Sequence, residues 1–232
     1  MLEPGKSANG VVGIARHEIV VPPVGLDGIL ALPAPGRAVV IFAHGSGSSR
    51  MSPRNTYVAT ALNRAGLATL LFDLLTEDEA RDRANVFDIA LLARRLQMAR
   101  DWTASDERTR DLPVGYFGAS TGAAAALVAA SEAGGDVVAV VSRGGRPDLA
   151  TSVLHRVRAP TLLIVGGRDA QVLALNEAAY EALTCEKALE VVPGATHLFE
   201  EPGAIDQVIA LSRDWFADHL GPSVTKTDGD IL

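Results

Sequence analysis

Three residues of this chain have the types and surroundings to do chemistry together: Ser120, Asp169 and His197. Ser120 sits in Gly118-Ala119-Ser120-Thr121-Gly122, after the apolar run Val114-Gly115-Tyr116-Phe117 and before Ala123-Ala124-Ala125-Ala126-Leu127. Gly-x-Ser-x-Gly between a buried strand and a small-residue helix puts the serine on a sharp, strained turn with its hydroxyl above the sheet, and the glycines let strand and helix crowd together. Such a hydroxyl is a candidate nucleophile. The backbone N–H of Thr121 lacks an acceptor inside the first helical turn and lies at the positive end of the helix dipole, so it can bind a developing oxyanion. Taken alone, the pattern also fits an ordinary glycine-flanked turn.

A serine hydroxyl attacks only when a base takes its proton, and an imidazole serves best when a carboxylate fixes its tautomer. Asp169 closes Gly166-Gly167-Arg168-Asp169 after the apolar run Thr161–Val165, and His197 follows Leu189–Val192 through Pro193-Gly194-Ala195-Thr196. Asp169 could also cap the helix that follows it, and Asp148 is an alternative acid.

These residues need a scaffold. Glu18–Val21 and Gly28–Leu32 are expected as two early strands pairing in an edge hairpin, and Ala38–Ala43 as a central strand covered on both faces. Ser52-Pro53 marks a helix start and Gly66 its stop; a strand follows at Ala68–Phe72. Thr76 to Arg83 reads as a solvated charged connection, and Val86, Ile89, Leu92, Ala93 and Leu96 as the buried stripe of a long helix ending near Trp102. Asp136–Ser142 is a strand, Asp148 to Val157 a helix, Thr161–Val165 a strand, Leu173 to Leu183 a helix and Leu189–Val192 the last strand. Ile205, Val208, Ile209, Ser212, Trp215 and Phe216 share one face of a closing helix. Such alternation implies one α/β domain over residues 16–221 with a mostly parallel sheet and helices on both faces. Residues 1–15 are expected to be a flexible segment and 222–232 a disordered tail. In such sheets the crevice lies beyond the carboxyl ends of the strands, where His44-Gly45-Ser46-Gly47, Ser120, Asp169 and His197 all fall.

Composition excludes several classes. The 48% hydrophobic and 21% charged shares are those of a globular protein, and the formal net charge of −7 speaks against nucleic acid as a partner. No apolar run reaches the roughly 18 residues that span a bilayer, so no membrane partner is expected. The single cysteine, Cys185, rules out an internal disulfide framework and fits a reducing cytoplasm. It has no histidine nearby in sequence and is expected to be inert.

The order Ser120, Asp169, His197, with Ala43-His44-Gly45-Ser46-Gly47 after the third strand, Gly118–Gly122 at the elbow, Gly166–Asp169 and Gly194–Phe199, resembles the α/β-hydrolase superfamily and within it the dienelactone-hydrolase-like family. The resemblance runs from about His17 to Leu220. It implies Ser120 as nucleophile, Asp169 as orienting acid, His197 as general base, and the main-chain N–H groups of Ser46 and Thr121 as the oxyanion hole, with no metal or organic cofactor. Dienelactone hydrolases proper carry cysteine at the elbow; serine here favours esterase chemistry on small ester, thioester or lactone substrates. Acyl transfer, peptide cleavage or a non-catalytic binding role on the same fold are the alternatives. His44 is expected to fix the oxyanion loop.

Arg50, Arg54, Arg143 and Arg146 follow strand ends at the same rim, and Arg168 precedes Asp169. They either pair with nearby carboxylates as surface ion pairs or bind an anionic small-molecule substrate through their guanidinium forks. Between Ser142 and Thr161 there is room for one crossover helix and no lid domain, so an open cleft is expected. The oligomeric state is not encoded in any of these features.

Overall fold

A computed structural model describes residues 13–220. Eight strands form one sheet in the order β1-β2-β4-β3-β5-β6-β7-β8. β1 (Ile14–Val21) and β2 (Leu26–Pro33) are an antiparallel hairpin at one edge, as expected, and β2 joins β4 (Ala68–Phe72) antiparallel. From β4 onward every pairing is parallel, through β3 (Val39–Ala43), β5 (Val114–Ala119), β6 (Val137–Arg143), β7 (Thr161–Gly166) and β8 (Lys187–Val192). The first strand begins at Ile14, inside the segment expected to be loose, because its full length pairs with β2. Residues 1–12 and 221–232, the tail at 222–232 among them, lie outside the described residues.

The continuous apolar runs of the central strands follow from burial on both faces. Successive side chains alternate: β3 sends Val39, Ile41 and Ala43 into one core and Val40 and Phe42 into the other. The first core is covered by α4 (Ile89–Ser105), α5 (Thr121–Glu132), a 3-10 helix (Pro147–Arg156) and α6 (Ala170–Ala182); the second by α1 (Pro53–Arg64) and α7 (Ala204–His219). The elbow helix α5 is apolar nearly all round, and Ala123 to Leu127 are fully buried. Alanine lets it approach the sheet closely on every side. Phe216 of α7 packs against Gly115, where a Cβ would lie 2.9 Å from the ring; truncating Phe216 to alanine would cost about 3–5 kcal/mol.

Thr76 to Arg83 is solvent-exposed, as expected, but it is helical and not an irregular connection. It forms α2 (Glu77–Arg81) and leads into α3 (Arg83–Phe87). Polar side chains cap its helices and the next: Thr76 and Glu79 make a reciprocal capping box, Asp82 caps α3 and Asp88 caps α4. Arg95 of α4, nearly buried, holds Glu79 at 2.5 Å and pins the segment down. Asp88 ends α3, so Val86 lies there and not on the stripe of α4. No lid domain enters between β6 and β7; only the 3-10 helix fills that interval.

Candidate active site

The elbow is tight because two glycines make it so. A Cβ at Gly118 would lie 2.4 Å from Ala123 Cα, and one at Gly122 would lie 2.2 Å from the Ala43 carbonyl oxygen. Between them Ser120 adopts φ 52°, ψ −121°, a region non-glycine residues enter only when their surroundings force them to. Its N–H donates to the Arg143 carbonyl at 3.2 Å, and its own carbonyl accepts from Ala123 N–H and Arg146 N–H, both at 3.1 Å. Strand β6 and the turn after it therefore hold the strained residue in place.

His197 Nδ1 and Asp169 Oδ2 lie 2.7 Å apart. The loops carrying them are stitched together: Arg168 N–H donates to the Ala195 carbonyl and Gly167 N–H to that of Val192, each at 2.9 Å. Phe199, two residues beyond His197, is buried at φ 55° and anchors the histidine loop in the second core. His197 lies over Gly144, where a Cβ would sit 3.5 Å from its Cε1. Asp169 does occupy the N-cap position of α6, yet its carboxylate makes no cap hydrogen bond and turns to His197 instead. Asp148, the alternative acid, is occupied by Arg146. Ser120 Oγ makes no hydrogen bond to His197 in this state, so the closed link of the relay is the one to Asp169.

His44 ties the oxyanion loop to the neighbouring strand end. Its Nδ1 hydrogen-bonds the Gly45 carbonyl at 3.0 Å and its Nε2 accepts the Leu74 N–H at 3.2 Å, which defines a neutral tautomer. Burial lowers its pKa and keeps it uncharged. Gly45 passes directly over the nucleophile; a Cβ there would lie 3.1 Å from that of Ser120. Ser46 N–H is not free, however: it donates to Thr121 Oγ1 at 2.9 Å. No feature of the sequence announced that bond, since it joins residues 75 positions apart.

A cavity of about 470 Å³ opens beside this loop, with Ser46 and Thr121 in its lining. One wall of it comes from α2, its cap and α3, through Thr76, Glu77, Ala80 and Val86. The cavity carries Asp27, Asp73 and Glu77 against one guanidinium, Arg50.

The rim arginines separate into two groups. Arg50 pairs with Asp73, with Asp27 3.4 Å away; Arg54 pairs with Glu200 at 2.7 Å; Arg146 holds both oxygens of Asp148. Arg143 alone of these four has no carboxylate among the described residues. It is buried, its Nη2 meets Asn55 Oδ1 at 3.3 Å and its Nε has no partner. Burial, with the charge of Arg54 adding to it, pushes its pKa down to about 10. Elsewhere, burial pushes the Cys185 thiol up, consistent with an unreactive sulfur, and no helix among the described residues is long and apolar enough to cross a membrane.

Comparison with known proteins agrees with this architecture. Residues 26–218 match the model of the "Dienelactone hydrolase family". A dienelactone hydrolase from Anabaena variabilis superposes with a TM-score of 0.86 at 54% identity, covering 89% of this chain and 98% of that one. Est1E from Butyrivibrio proteoclasticus, 14% identical with a TM-score of 0.76 over 88% of this chain and 98% of its own, shares the fold. A curated relative from Mycobacterium tuberculosis, strain H37Rv, bears the name "Putative phosphoribosyl transferase" and is 61% identical over 89% of this chain; the chain spans 47% of that relative's length. The fold is that of the α/β hydrolases, and the chain belongs to the dienelactone hydrolase family.

Proposed function

We propose that the protein is a serine hydrolase of the esterase type, cleaving small ester, thioester or lactone substrates through an acyl-enzyme. The observation that carries the reading is the strained backbone of Ser120 at the mouth of β5, in a chain whose His197 is held by Asp169 at 2.7 Å. Strain of this kind persists where function needs it.

In the first step His197 Nε2 takes the Ser120 proton as Oγ bonds to the substrate carbonyl carbon, and the carbonyl electron pair moves onto oxygen. Asp169 stabilises the imidazolium without taking its proton. The tetrahedral intermediate collapses, the leaving group departs with the proton from His197, and water repeats the sequence on the acyl-serine. The Arg50, Arg54 and Arg146 forks are already occupied, and three carboxylates face one guanidinium in the cavity beside Ser46. A neutral substrate therefore suits that cavity better than an anionic one. The reading needs no metal or cofactor, and the lone cysteine, Cys185, is what supports a reducing, cytoplasmic setting. The mycobacterial relative that bears a transferase name is a longer chain, of which this one spans 47%.

The test is labelling with a fluorophosphonate probe, wild type against Ser120→Ala, with intact mass and a panel of short p-nitrophenyl esters that includes butyrate and the monoester of succinate. One label on wild type, none on the variant and turnover of the neutral ester at least as fast as the succinate at low salt are expected. A folded wild type that takes no label would overturn the hydrolase reading. Faster turnover of the succinate would overturn the neutral-substrate part alone.

A further inference from the structure

The Ser46 N–H is one of the two main-chain donors expected to bind the oxyanion, yet it is already spent on Thr121 Oγ1 at 2.9 Å. Thr121 is buried at the first position of α5, and its hydroxyl oxygen is the acceptor of that bond. The hydroxyl, by contrast, still has its own proton, which has no acceptor among the described residues, and Thr121, next in sequence to Ser120, lines the cavity along the oxyanion loop. We infer that the Thr121 side-chain hydroxyl is a direct oxyanion donor, with Ser46 N–H acting through it.

The inference rests on Ser120 being the nucleophile. When Ser120 Oγ bonds to the carbonyl carbon, the new oxyanion accepts from Thr121 N–H and from Thr121 Oγ–H. No proton is transferred to it. The Ser46 N–H stays on the hydroxyl oxygen, fixes the direction in which the O–H points and, by drawing charge from that oxygen, makes it a stronger donor. The donor is fixed before substrate arrives, which is what makes such groups effective. One residue, Thr121, thus supplies both hydrogen bonds, and the glycine-rich loop after β3 serves to hold its side chain.

The experiment compares wild type, Thr121→Val and Thr121→Ser in kcat and KM on a short p-nitrophenyl ester, with thermal midpoint and fluorophosphonate stoichiometry measured on each. Valine keeps the shape and removes the hydroxyl; serine keeps the hydroxyl and removes the methyl. The expected result for valine is a kcat lower by about 100-fold, the usual loss for one oxyanion donor, with KM little changed. Serine is expected to restore kcat to within a few-fold, and all three proteins to reach one label per chain. A valine variant as fast as wild type, or faster, would show that the hydroxyl merely blocks Ser46 N–H and overturns the inference. So would a folded serine variant as slow as valine. Wild type that neither labels nor turns over is a different failure: it removes the hydrolase reading, and the role of Thr121 falls with it.

Discussion

Gly122 and Ala43 approach so closely that a single methyl group on the first would lie 2.2 Å from the carbonyl oxygen of the second. The His44 carbonyl oxygen is 2.5 Å from the same point, so helix α5 is wedged against the strand end that carries the oxyanion loop. Both obstacles are backbone and neither can turn aside. Gly122→Ala is expected to destabilise the fold by about 1–3 kcal/mol and to lower ester turnover more than tenfold. Urea midpoints and initial rates check this, with Gly13→Ala, which meets nothing within 4 Å, as the control.

Ser120 stores strain that glycine would not. A non-glycine residue at φ 52°, ψ −121° costs about 1–3 kcal/mol. Ser120→Gly loses part of that gain to unfolded-state entropy, and is expected to be more stable than wild type by about 1 kcal/mol while losing turnover. Ser120→Ala loses turnover and keeps the strain. Equal thermal midpoints for the glycine and alanine variants would contradict this account.

Asp169 stands at a helix N-cap without capping it, so its two candidate roles separate cleanly. Asp169→Asn is expected to lower kcat by about 10³–10⁴-fold, as loss of the orienting acid does in Ser-His-Asp triads generally, and to leave stability almost unchanged. If the variant instead keeps its kcat and loses about 1 kcal/mol in denaturant, Asp169 is a cap.

His44 makes stability depend on pH. Its folded pKa is lowered from 6.5, so as pH falls through 6.5 the unfolded chain takes up a proton that the folded chain refuses. Stability is therefore complete above 6.5 and declines below it, until pH reaches the folded value. His44→Gln keeps an acceptor for Leu74 N–H without titrating. Its urea midpoint is expected to fall less than that of wild type between pH 7.5 and 5, and parallel curves would count against the assignment.

Local chemistry made much of the molecule legible in advance. Continuous apolar runs marked the strands buried on both faces, Ser52-Pro53 marked a helix start whose cap is made as read, and Gly118 and Gly122 marked the elbow. The stretch Thr76-Glu77-Asp78-Glu79 is exposed, as its charge density implies, but charge density does not distinguish a loop from a short surface helix; the capping box of Thr76 and Glu79 is the signal that does.

The sequence by itself determined the alternation of strands and helices, the strained turn at Ser120 and the placing of Ser120, Asp169 and His197 at strand ends, since each depends on neighbours a few residues away. Only the tertiary structure decided how polar groups far apart in the chain were shared out. It gave the Ser46 N–H to Thr121, the Asp169 carboxylate to His197 and the Arg50 fork to Asp73, and left Arg143 without a carboxylate among the described residues. A polar group's role depends on which partner is within about 3 Å once it leaves water, and that distance is set by packing between elements, not by spacing along the chain.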